Sequence, residues 1–123
     1  MYEQDYIMRL IHEMVRMFLK LFFNINEDKD EEIIVEESNL GEKYDPLMEL
    51  LNQGKINEAE NLLYEELDPQ NKEYLKIGLL FYERLGRLSP QVLETSDYTG
   101  EEIREGIRHL LSLYGYEDMS EIY

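Results

Sequence analysis

With 123 residues, no cysteine and 28 acidic against 12 basic residues, the chain carries a formal net charge of −16. It therefore has no disulfide framework, no thiolate metal site and no cysteine nucleophile, and its field repels nucleic-acid phosphate and anionic lipid alike. The length suits one helical domain over 1–123, the 43% hydrophobic residues supply a core without staples, and the lack of cysteine fits a cytoplasmic protein.

The opening Met-Tyr-Glu-Gln-Asp is acidic, unlike a secretory signal. The first predicted helix runs from about Tyr2 to Phe23. Ile7, Leu10, Met14, Met17 and Leu21 form one apolar stripe, and Ile11, Val15, Phe18 and Phe22 form a second beside it. Arg9, Glu13, Arg16 and Lys20 interrupt the run, so it is not a membrane span. Two stripes are more than one neighbouring helix covers. The expectation is that Ile11, Val15, Phe18 and Phe22 pack against a second copy of the chain in a homo-oligomer.

Residues 25–40 are dense in Asp and Glu and read as a mobile acidic linker, with Ile33, Ile34 and Val35 able to touch the core. Residues 1–24 balance to zero charge, whereas residues 25–75 hold 16 acids and 4 bases. A helical core over 41–115 follows, then an acidic tail over 116–123. Its second helix runs from about Tyr44 to Gln53, with Pro46 in the first turn and Gly54 as a left-handed stop. The third spans about Asn57 to Leu67, with Asn57 as N-cap and Glu60 as its box partner. The fourth, about Asn71 to Leu85, is apolar on nearly all sides and is the expected central helix, stopped by Gly86. Ser89-Pro90 opens a short turn of helix through Leu93. The last helix starts near Thr99, boxed by Glu102, and ends at Gly115. No alternation long enough for a strand occurs.

The stretch GKINEAENLLYEELDPQN, residues 54–71, is similar to the second helix of a tetratricopeptide repeat. Gly54, Glu58, Ala59 and Leu63 occupy the matching positions, and Asp68-Pro69 resembles the closing pair. Tyr74, Ile77, Gly78 and Phe81 then match the spacing that opens a further unit. Over residues 44–86 the resemblance implies an antiparallel helix-turn-helix in which Ala59 and Gly78 mark a tight crossing. Tetratricopeptide units bind extended peptides along their first helices, and Leu75, Leu79 and Tyr82 fall at those groove positions. The opening YEQDYIMRLIHEMVR, together with GKINEAENLLYEEL, also resembles an uncharacterised family of small acidic helical proteins from Gram-positive bacteria. That family has no assigned activity.

Signatures of chemistry fail on inspection. His12-Glu13 begins like a zinc protease motif, but Arg16 stands where the second His belongs. Asn26, Asp28, Asp30 and Glu37 fall at calcium-ligand positions of an EF-hand loop, yet Glu31 occupies the turn position that needs Gly. His109 stands alone. No catalytic residue, metal ligand or cofactor is expected. The expectation is a non-catalytic protein-interaction or scaffold module with a protein or peptide partner and no nucleic acid. The alternatives are a peripheral membrane protein using the first helix, and an enzyme or calcium-binding protein.

Overall fold

The computed structural model describes residues 2–118 of the chain, with side chains from residue 6 onward. The outer end of the acidic tail, residues 119–123, lies outside the described residues. Seven helices and no strand occur among the described residues: α1 (Tyr2–Phe23), α2 (Glu31–Ser38), α3 (Gly41–Asn52), α4 (Ile56–Glu65), α5 (Lys72–Gly86), α6 (Pro90–Thr95) and α7 (Gly100–Leu113).

Local chemistry explains most of the boundaries. The side chains of Asn71, Ser89 and Thr99 each accept a backbone N–H at the start of α5, α6 and α7, and Thr99 and Glu102 complete a capping box. Gly54 and Gly115 take positive φ after α3 and α7. Three details differ from expectation. Helix α3 begins at Gly41, which places Pro46 inside it rather than in its first turn. Helix α4 begins at Ile56 with Lys55 at the cap position and no side-chain bond, so Asn57 is not its cap. Gly86 is the last residue of α5 rather than the residue that stops it; Ile11 packs where its Cβ would be.

The larger correction concerns the acidic linker, which contains helix α2. Asp30 caps it by accepting the Glu32 N–H at 2.9 Å, and Glu31 and Glu32 lie in the first turn, where the helix dipole favours negative charge. Ile34 and Val35 are buried while Ile33 is exposed. Lys29 pairs with Glu37, and Arg87 reaches Glu31 at 3.0 Å. Charge density forbids packing only where the charges must be buried. Here most lie at the cap or on the outer side, and Glu31, whose side chain is only 16% exposed, is paired with Arg87.

Helix α5 is the axis. Helices α1, α2, α3 and α7 all pack on it, and α3 pairs with α4 as a helix-turn-helix. Gly86, the last residue of α5, meets Ile11 midway along α1, while Lys76, nearer the start of α5, lies over the Phe23 ring at the end of α1, so α1 runs antiparallel to α5. Gly78 faces Leu110, and Gly106 faces Tyr82, so α7 is antiparallel to α5 as well. Gly78 therefore marks a crossing with α7, not the expected crossing with Ala59 on α4.

Ile11, Val15 and Phe18 are fully buried, and Phe22 is partly covered, stacked on Phe18 and on Tyr116. The chain's own α5 and α7 cover α1. The premise for self-association through this face, an uncovered second stripe, is thereby removed. A lipid-facing α1 would likewise have to leave the core. Leu75, Leu79 and Tyr82 are also fully buried, so they do not line an open groove.

At Gly106, an added Cβ would lie 2.5 Å from the Tyr82 ring. Gly106→Ala would gain about 0.5–1 kcal/mol in an ordinary helix interior. Here it instead costs about 1–3 kcal/mol, because the buried ring has no room to retreat. A thermal melt that rises on this substitution would contradict the packing.

Candidate functional site

Two concavities and one buried ionic network stand out, all built from residues that pack around α5. In the network, the Glu83 side chain on α5 is 0% exposed and that of Arg16 on α1 is 11% exposed. Arg16 Nε donates to Glu83 Oε2 at 2.9 Å and Nη2 donates to Oε1 at 3.3 Å, a forked pair. Arg16 Nη1 donates to the Lys29 carbonyl at 2.6 Å, which fastens the entry to α2. His12 Nδ1 lies 3.0 Å from Glu83 Oε2. Arg87 bridges Glu83 to Glu31, which in turn accepts the Tyr44 hydroxyl. Burial and that acceptor push the Tyr44 phenol far up, so it stays neutral and keeps the proton it donates to Glu31. The network joins α1, α2, α3 and α5 and serves as a structural clamp.

The first concavity lies beside this clamp, between α2 and α3. It encloses about 410 Å³. Val35, Tyr44 and Met48 form its apolar floor, and Glu32, Glu36 and Asp45 stand on its rim. These three carboxylates are exposed and have no ion-pair partner among the described residues. Its one lining cation, Arg84, already leans toward Glu31 at 3.8 Å. An uncompensated acidic rim over an apolar floor attracts a positively charged segment with a large apolar side chain.

The second concavity, also about 410 Å³, lies between α4 and α7. At its base two phenols meet one carboxylate, and a third phenol joins through one of them. Tyr82 and Tyr98 both donate to Glu60 Oε2, at 2.6 and 2.9 Å, and the Tyr64 and Tyr82 hydroxyls are 2.7 Å apart. Burial raises all three phenols, Tyr64 to about 12. They are neutral donors at physiological pH.

Of the residues singled out from the sequence, His109 lines the second concavity and the others lie elsewhere. Leu75, Leu79 and Tyr82 belong to the core, although the Tyr82 hydroxyl reaches the second concavity's base. His12 braces Glu83, and His109 packs its ring against Tyr64. Of the calcium-like set, Asp30 caps α2 and Glu37 holds Lys29. Among the described residues no three His, Asp or Glu side chains are grouped to hold a metal ion, and no helix is long and apolar enough to cross a membrane. Neither concavity was anticipated. The α2–α3 cleft requires α2, which the charge density hid, and Glu60 was read only as a capping partner.

The chain matches a family described as a family of unknown function (DUF6483) over residues 1–115. No curated protein and no solved structure matches it.

Proposed function

We propose, from the premise that the chain belongs to DUF6483, a family of unknown function, that it is a non-catalytic interaction module whose α2–α3 cleft docks a basic, partly apolar segment of a partner protein. The observation that carries this is the gathering of Glu32, Glu36 and Asp45, none of them ion-paired, around the apolar lining of one concavity. The tetratricopeptide resemblance supports a binding role by a different geometry. In that reading α3 and α5 are the first helices of successive units, and α1 and α2, which pack on α5, fill the groove in cis.

A fluorescein-labelled peptide alternating Lys with Leu tests the proposal by anisotropy. Binding to the full chain weakens about tenfold or more in Glu32→Lys/Glu36→Lys/Asp45→Lys, since several complementary charges are reversed at once. The same number of reversals at Glu58, Glu65 and Glu94, which do not line the cleft, leaves most of the binding intact. Equal losses in both triple variants would show general attraction to an acidic surface and would sink the cleft.

A further inference from the structure

We infer that the concavity between α4 and α7 binds an organic ammonium ion, the head of an alkylamine or of a lysine side chain. Its walls are Tyr64, Tyr98 and His109, and its carboxylates are Glu60, Glu102 and Glu105. The argument does not rest on the acids as a cluster. It rests on how one of them is held. Glu60 Oε2 is occupied by two phenol donors from α5 and the α6–α7 turn. Glu60 Oε1 accepts no hydrogen bond from the described residues and is open to solvent. The carboxylate is therefore fixed in orientation with one oxygen spare, a preformed acceptor at the base of a cavity.

The spare oxygen also selects the cation. A guanidinium is a planar fork that gains most from both oxygens of a carboxylate, and one of these is already taken. A bare metal ion needs several converging oxygens, and among the described residues no such group exists. An ammonium is a compact donor satisfied by one carboxylate oxygen together with aromatic faces, which attract cations through their quadrupoles. The Tyr64 ring, 5.1 Å from the His109 ring and tilted 54° to it, supplies such a wall, and Tyr98 supplies another. No lysine or arginine lines the cavity, and the nearby Arg108 is drawn to Glu105 at 2.7 Å. Gly106 lets the Tyr82 ring approach α7 closely, which brings the Tyr82 hydroxyl to Glu60. This site is separate from the α2–α3 cleft and stands or falls without it.

The test is an NMR titration of the full chain with n-butylammonium, with Nα-acetyl-lysine methylamide, and with n-butanol and methylguanidinium as controls. The site predicts saturable shifts at Tyr64, Tyr98 and Gly106 with the two ammonium probes, weaker ones with methylguanidinium and none with butanol. The stronger of the ammonium probes identifies the source, a free amine or a protein side chain. Glu60→Gln weakens binding about tenfold by removing the charge at the base. Should that variant fail to fold, Tyr98→Phe, which frees Glu60 to turn, weakens it about threefold instead. Butanol shifting the same residues, shifts that never saturate, or binding unchanged in whichever of these variants folds would each overturn the assignment.

Discussion

Arg16→Met lowers the stability of the fold by about 3–5 kcal/mol, the usual consequence of leaving one member of a buried ion pair without its partner. The side chain of Glu83 is 0% exposed and keeps only His12 at 3.0 Å and Arg87 at 3.8 Å once Arg16 is gone. The same substitution removes the donor to the Lys29 carbonyl and so loosens the entry to α2. The double variant Arg16→Met/Glu83→Leu recovers at least half of the loss, because an apolar pair of similar volume pays no desolvation cost. Urea unfolding followed by circular dichroism measures both. If the double variant is as unstable as the sum of its singles, the two residues are not coupled and the clamp is misassigned.

Phe18→Ala has a comparable effect, about 3–5 kcal/mol, through the loss of a large buried ring and the cavity it leaves. Phe18 is 0% exposed and its ring stacks on Phe22 at 5.6 Å. The diagnostic feature is how the loss depends on concentration. A residue buried inside its own chain gives a melting temperature independent of protein concentration, whereas one buried between copies does not. A melt of Phe18→Ala that matches the parent, or a parent melt that climbs with concentration as Phe18→Ala dissociates the protein, would return α1 to an interface between chains.

Most helix positions were legible because the signals that set them are local. Asn71, Ser89 and Thr99 cap within three residues of themselves, and Gly54 and Gly115 turn the chain where they stand. The errors share a cause. Helix α2 was hidden because its stability comes from Ile34 and Val35 reaching a core that the local sequence does not display. Leu75, Leu79 and Tyr82 were placed in a groove because a helix buried on every side shows no preferred face. The width of the α1 apolar face follows from periodicity, but whether its cover comes from another chain or from α5 and α7 is a matter of topology. The two concavities are less legible still. The Glu60 junction gathers residues 60, 64, 82 and 98, and although Tyr64 follows Glu60 by four residues on α4, no spacing rule links that carboxylate to Tyr82 and Tyr98 on separate elements.

The order of the helices along the chain also bears on how the protein is made. Arg16 and Glu83 are 67 residues apart. At the usual ~5–20 residues per second of synthesis, α1 waits roughly 3–13 s after leaving the ribosome before its partner helix follows. During that interval a charge-balanced helix with two apolar stripes lacks α5 and α7, the helices that cover it in the fold. The next part of the chain to emerge, residues 25–75, holds 16 acids against 4 bases. The acids that crowd α2, α3 and α4 thus supply repulsion between nascent chains while the first helix is bare, so their placement directly behind α1 protects the protein before it has folded.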